Sequence, residues 1–227
     1  MTILRCKYTR GEEVKFISHL DLLRVFERAI RRAGLPIEHS AGYNPRPKIV
    51  FALPLPVGVT SDGEYADITL AGEYSSDDFI RTLNAELPQG IKLTAVESIT
   101  QSKHSIMSEV ESAKYELKAD YEGQIEQVRE IISAIMSKHD IIVEKNTGSG
   151  TKSINIRPLI KEMSVREQNS KEILRCDKTG LVIDLHVNAG SRENLRPDLA
   201  ANMLEEMSGG SLRVTGIHRK QLLLVQS

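Results

Sequence analysis

Phe16–Phe51 reads FISHLDLLRVFERAIRRAGLPIEHSAGYNPRPKIVF, and the first half of the fold follows from it. Ser18 stands where a helix N-cap is expected, and Asp21 completes a capping-box-like pair. Ile17 and Leu22 take the two positions of a hydrophobic staple. Leu22, Leu23, Phe26, Ala29, Ile30 and Ala33 recur at helical spacing, so a helix is expected from Ser18 to about Ala33 with that face toward a core. Gly34 supplies a left-handed stop, Leu35 folds back, and Pro36 bars continuation.

The opposite face of this helix carries Arg24, Arg28, Arg31 and Arg32, with Glu27 as the one acid among them. Such a row is either a solvated helix face or a set of guanidinium groups for phosphates. Ser40–Lys48 (SAGYNPRPK) follows as an irregular, rigid loop fixed by Gly, Asn and two prolines. Tyr43 gives it a flat ring, with Asn44 beside it and Arg46 and Lys48 for charge. That combination suits a stacked base and its phosphate. The alternative is a Tyr43 folded under the loop as local core. His19 lies in the first helical turn, where the helix dipole favours neutral imidazole. It is therefore either a general base toward a ribose hydroxyl or a residue that orders the helix entrance.

Charge is unevenly spread. Residues 1–60 hold ten Lys/Arg against five Asp/Glu, residues 61–135 six against fifteen, and residues 136–227 fourteen against eleven. The net of -1 argues against a polybasic protein, while the positive opening segment is a candidate anion surface. Trp is absent, so the core is expected to be aliphatic. Cys6 and Cys176 lie in no metal or redox spacing and read as reduced thiols. The start MTILRCKYTRG lacks an apolar run for a signal peptide, and no stretch reaches membrane-span length. A cytoplasmic location is expected.

Around the central stretch, strands are expected at Ile3–Val14, Ile49–Val59, Glu64–Ala71 and Ile91–Ile99, with a turn at Ser61-Asp62-Gly63 and a helix at Asp78–Leu87. Strand, helix, strand, strand, helix, strand is the ferredoxin-like order. Residues 101–112 read as a linker. A similar order follows, with strands at Ala113–Tyr121, Ile141–Lys145, Ser153–Ile160, Gly180–Asn188 and Leu212–Val225, a loop at 146–152, and helices at Gly123–Lys138 and from Pro197 to about Met207. The expected class is α+β: two tandem ferredoxin-like (βαββαβ) domains, residues 1–100 and 113–227, the second with an insertion.

The string FISHLD…RAIRRAGLP…SAGYNPRPKIVFALPLPVG resembles the signature of the uncharacterised bacterial radical-SAM-linked family, with Lys152–Pro158 (KSINIRP) as a second landmark. The resemblance implies a radical-SAM protein as partner. The element order also resembles, distantly, the tandem ferredoxin-like CRISPR repeat-processing ribonucleases. A radical-SAM cluster needs three closely spaced cysteines, and two distant ones do not supply them, so a companion role is expected. Gly148–Ser153 (GSGTKS) imitates a phosphate loop, but Thr151 separates Lys152 from the glycine it should follow. The histidines pair in no metal-binding spacing, and no metal or cofactor is expected.

The expected function is an accessory RNA-binding module working on tRNA or rRNA with that partner. Arg24, Arg28 and Arg31 would meet phosphates and Tyr43 and Asn44 a base, while Arg46, Lys48, Lys152 and Arg157 complete a cleft. Two alternatives stay open: a metal-independent endoribonuclease using His19, and a protein adaptor that never meets RNA.

Overall fold

The protein is seen in a computed structural model that describes residues 1–99, 105–147, 150–168 and 179–225. Cys176, His104, the first part of the expected linker, and Gly148-Ser149 of the phosphate-loop imitation lie outside the described residues. The chain divides into two compact units, Met1–Glu111 with Gln221–Ser227, and Ser112–Lys220.

In the first unit β1 (Thr2–Arg10) leads through a 3-10 turn (Glu12–Val14) to α1 (His19–Arg32). Then follow β2 (Ile49–Phe51), β3 (Thr60–Leu70), α2 (Ser76–Asn84) and β4 (Ile91–Ile99). The strands lie in the order β4-β1-β3-β2, every neighbour antiparallel. A split βαβ repeat produces that order. Cys6 sits opposite Ala66 on one side and Val96 on the other. Leu4, Cys6 and Tyr8 point inward at period two and meet Phe26, Ala29 and Ile30 of α1 and Phe79 and Leu83 of α2, all buried. Burial, and next the charge of Asp67, push the Cys6 thiol up, so it serves as a protonated core group. On the other sheet face Arg5 donates to both carboxylate oxygens of Asp67 at 2.9 Å and to Glu109 at 2.6 Å.

Helix α1 carries its expected punctuation. The Ser18 hydroxyl accepts from the Asp21 N–H at 3.2 Å and donates to the Asp21 carboxylate at 2.7 Å. Gly34 has φ +65°, which an L side chain adopts only under strain, and Leu35 N–H closes on the Ile30 carbonyl.

A single turn α3 (Ile106–Glu109) closes this segment of the first unit and leads into β5 (Val110–Tyr121), which continues into the second unit, where α4 (Ile125–Ser137), β6 (Ile142–Thr147) and β7 (Gly150–Asn155) follow. After a 3-10 turn (Arg157–Leu159) come β8 (Ile160–Glu167), β9 (Thr179–Asn188), α5 (Pro197–Met207) and β10 (Leu212–Leu224). The order β10-β5-β9-β8 repeats the first pattern, while β6 and β7 pair only as a separate hairpin. Leu117 and Ile183 lie in register in the buried layer. The fold is α+β with repeated βαβ segments. It is not two cleanly separate tandem domains, however, because β5 begins and β10 ends in the first unit, so the sheets are intertwined.

Several expected elements change: the first strand ends at Arg10 and not at Val14, and the expected loop 146–152 is largely taken up by β6 and β7. The strand beginning at Ile49 ends at Phe51, because Pro54, Pro56 and a positive-φ Gly58 turn the chain there. The expected turn at Ser61-Asp62-Gly63 instead lies within β3 as a bulge, marked by a register shift against Tyr8 and Arg10. There the Ser61 hydroxyl accepts from the Gly63 N–H and donates to buried Glu64. The strand Ser153–Ile160 is broken by Pro158, and the chain restarts as β8, whose alternation is masked by a shift between Ile160 and Glu162.

Candidate nucleic-acid interface

The site is built on the first unit by α1 and the loop that follows it. His19 is half-buried, its ring edge-on to Phe51 at 5.4 Å between centroids. Phe51 in turn meets Phe26 at 5.3 Å and Tyr8 at 6.0 Å, also edge-to-face. Through these rings the start of α1 is tied to β2, the strand that ends the Ser40–Lys48 loop.

That loop is closed at its base. His39 bridges to Pro47, the Ser40 N–H donates to the Arg46 carbonyl at 2.8 Å, and the Arg46 N–H donates to the Ser40 hydroxyl at 3.0 Å. Lys48 donates its N–H to Glu38 and accepts from Thr69, so the loop is anchored along β3. Gly42 at φ +124° sits in a region that only glycine enters without strain. Tyr43 at the tip is 100% exposed, which excludes the local-core alternative for its ring. Asn44 and Arg46 are exposed beside it, and Lys48 is half-buried.

The four arginines of α1 are not equivalent. Arg32 donates to the Glu86 carboxylate at 2.8 Å and to the Glu86 carbonyl. Arg24 is exposed but paired with Asp21 at 2.9 Å. Arg28 and Arg31 are exposed and make no ion pair among the described residues. Arg46 and Lys48 likewise have no carboxylate partner among the described residues. The free positive charge therefore comes from Arg28, Arg31, Arg46 and Lys48.

Lys152 and Arg157 belong to the second unit. Lys152 is exposed within β7, opposite Lys145 in register, and so lies in a strand and not at a helix N-terminus. Arg157 is half-buried and donates to the Ile160 and Met136 carbonyls at 2.9 and 2.8 Å. Its guanidinium fastens the end of α4. Missing from the sequence reading are Phe16 and Leu20, both largely exposed. Part of their signal was present: Leu20, Arg24, Arg28 and Arg31 step along one helix face, whereas Phe16 lies in the turn before the Ser18 cap, outside the helical period.

The Ser18 hydroxyl first, then the Arg24 guanidinium, holds the Asp21 carboxyl below the usual carboxylate range. Because folding lowers this pKa, the contribution is complete above the ordinary value of about 4 and fades as pH falls below it. Asp21→Asn is expected to abolish that part of the acid transition of α1, read by far-ultraviolet circular dichroism between about pH 6 and 2. It also releases Arg24, so affinity for a polyanion should rise.

Among the described residues no group of three or more His, Cys, Asp or Glu is placed to hold a metal ion. No described helix is long and apolar enough to cross a membrane. The family model described as "Uncharacterized protein conserved in bacteria (DUF2344)" matches residues 4–197. The chain belongs to this family. A search of curated proteins returned no match. Among solved structures, a Cbf5-Nop10-Gar1 complex matches at TM-score 0.49 and 8% identity, covering 97% of this chain and 48% of that one. The archaeal box H/ACA sRNP Nop10-Cbf5 complex matches at TM-score 0.43 and 9% identity, covering 96% and 46%. The chain thus spans about half the length of these two. A RAMP protein binding different RNA substrates matches at TM-score 0.20 and 7% identity over the full length of both chains. At these scores the likenesses assign no activity.

Proposed function

We propose that this protein is an accessory RNA-binding module, with α1 and the Ser40–Lys48 loop as its contact surface. One observation carries the reading: a fully exposed Tyr43 at the tip of a loop closed at its base, flanked by cations that no described carboxylate neutralises. An aromatic ring placed wholly in water at the tip of a loop closed at its base serves a stacking partner better than it serves stability, and base–aromatic stacking tolerates any sequence. Arg28, Arg31, Arg46 and Lys48 would take phosphates, Tyr43 and Asn44 a base. The RNA in this reading is tRNA or rRNA and the partner a radical-SAM protein, the latter from the resemblance of the FISHLD…PLPVG string. Lys152 is a candidate second contact, whereas Arg157 is spent on backbone carbonyls.

His19 is read as packing on Phe51 and not as a base. Purified protein should bind labelled bulk tRNA and rRNA fragments and return them intact. With these four cations on phosphates, affinity should fall about 50- to 150-fold between roughly 50 and 200 mM salt. No binding at low salt would sink the RNA reading and leave the protein adaptor. Cleavage that disappears in His19→Ala would favour the endoribonuclease.

A further inference from the structure

Leu20, Arg24, Arg28 and Arg31 share one exposed face of α1, apolar at its start and cationic along the rest, and Phe16 is exposed in the turn just before the Ser18 cap. From Leu20 to Arg31 that face runs about 16 Å at the helical rise. Phe16 is 73% and Leu20 64% exposed, two large apolar side chains facing water within four residues of each other.

The chain that carries Phe16 is held in place. The Arg10 guanidinium, buried beneath it, donates to the Val14 carbonyl at 3.2 Å and the Ile17 carbonyl at 3.0 Å. The Gly58 N–H donates to the Lys15 carbonyl at 2.8 Å, and a Cβ on Gly58 would lie 3.9 Å from the Phe16 ring. The Lys15 ammonium stands 5.2 Å from the ring centroid and is itself paired with Glu12 at 2.6 Å. An exposed ring on a fixed backbone is a preorganised platform that loses little freedom when covered.

We propose that the RNA is single-stranded where it meets α1: an unpaired base seats on Phe16, and the adjoining phosphates run along Arg24, Arg28 and Arg31. This rests on the RNA-binding reading and narrows its substrate class. A duplex could offer phosphates to the arginines, but its bases are stacked inside and its A-form major groove is too deep and narrow for a side chain to read. Phe16 can be covered by a base only where the strand is open.

The experiment measures fluorescence anisotropy with the full chain, an unstructured oligonucleotide of roughly 12 nucleotides, and a blunt duplex of the same length. The single strand is expected to bind at least about tenfold more tightly. Phe16→Ser should weaken single-strand binding by about tenfold with an unchanged salt slope, and Phe16→Trp should restore it. Phe16 is exposed, so unchanged thermal melting confirms that each variant is folded. Equal binding of both RNAs, together with an unaffected Phe16→Ser, overturns this inference and leaves RNA binding standing. Failure of both RNAs at low salt overturns the inference and the reading beneath it. Tight binding of a Glu- and Leu-rich peptide in place of either RNA overturns it in favour of a protein partner.

Discussion

Arg28→Glu/Arg31→Glu is expected to lower RNA affinity by about a hundredfold or more while leaving the melting temperature unchanged. Two charge-assisted hydrogen bonds to phosphate, at about 1.5–3 kcal/mol each, account for that loss before repulsion is added. The slope of log affinity against log salt should become shallower by about 1.4 to 1.8, the contribution of two phosphate contacts. The fold should not notice, because both side chains are exposed and neither holds an ion pair among the described residues.

The same helix supplies the controls. Arg24 already spends part of its charge on Asp21. Arg24→Gln should therefore lose less affinity than either Arg28→Gln or Arg31→Gln. Arg32 bonds Glu86 twice and has least to offer a ligand. Arg32→Gln should affect melting more than binding. A solvated helix face would give four equal and negligible effects, so the graded pattern separates a phosphate surface from ordinary surface charge. It is measured by filter binding across a salt series, with thermal melting in parallel.

That grading also marks how far the sequence could be read. Helix α1 was legible because its determinants are local: Ser18 and Asp21 lie within one turn, and Gly34, Leu35 and Pro36 follow directly. Asp21 lies three residues before Arg24, so their pairing was within reach of the helical period. The Arg32–Glu86 pair joins residues 54 positions apart, and no pattern in either segment announces it. Tyr43 shows the same limit, since Gly-Tyr-Asn-Pro predicts an irregular loop whether the ring points in or out. Its exposure follows from the base closed by Ser40 and Arg46 and from the anchoring on β3. Ser61-Asp62-Gly63 misled for a related reason, because the residues that favour a turn also favour a bulge. Pairing with β1 decided between them. The intertwining of the sheets depends on β10 returning its last residues to the first unit, more than a hundred positions after that unit's first segment ends, which no window of sequence contains.

Phe26→Ala is expected to cost about 3–5 kcal/mol, the largest stability effect of any substitution near the site. Phe26 is fully buried, with Tyr8 at 5.2 Å and Phe51 at 5.3 Å, both edge-to-face. Deleting its ring forfeits both contacts and opens a cavity in a close-packed layer. At this chain length the loss corresponds to about 10 °C or more in melting temperature. Phe26→Leu keeps most of the volume and should cost about half as much. The consequence for binding differs in kind from that of the arginines. Phe26 and His19 both rest on Phe51, and Phe51 ends the strand that anchors the Tyr43 loop. Loosening Phe26 therefore frees the helix and the loop relative to each other, and RNA affinity should fall with no change in salt slope, because the same cations still meet the same phosphates less often. An unchanged affinity in a Phe26→Leu variant of lowered melting temperature would show that the helix and the loop bind independently. The ring cluster would then be scaffold alone, with no part in holding the two contact surfaces in register.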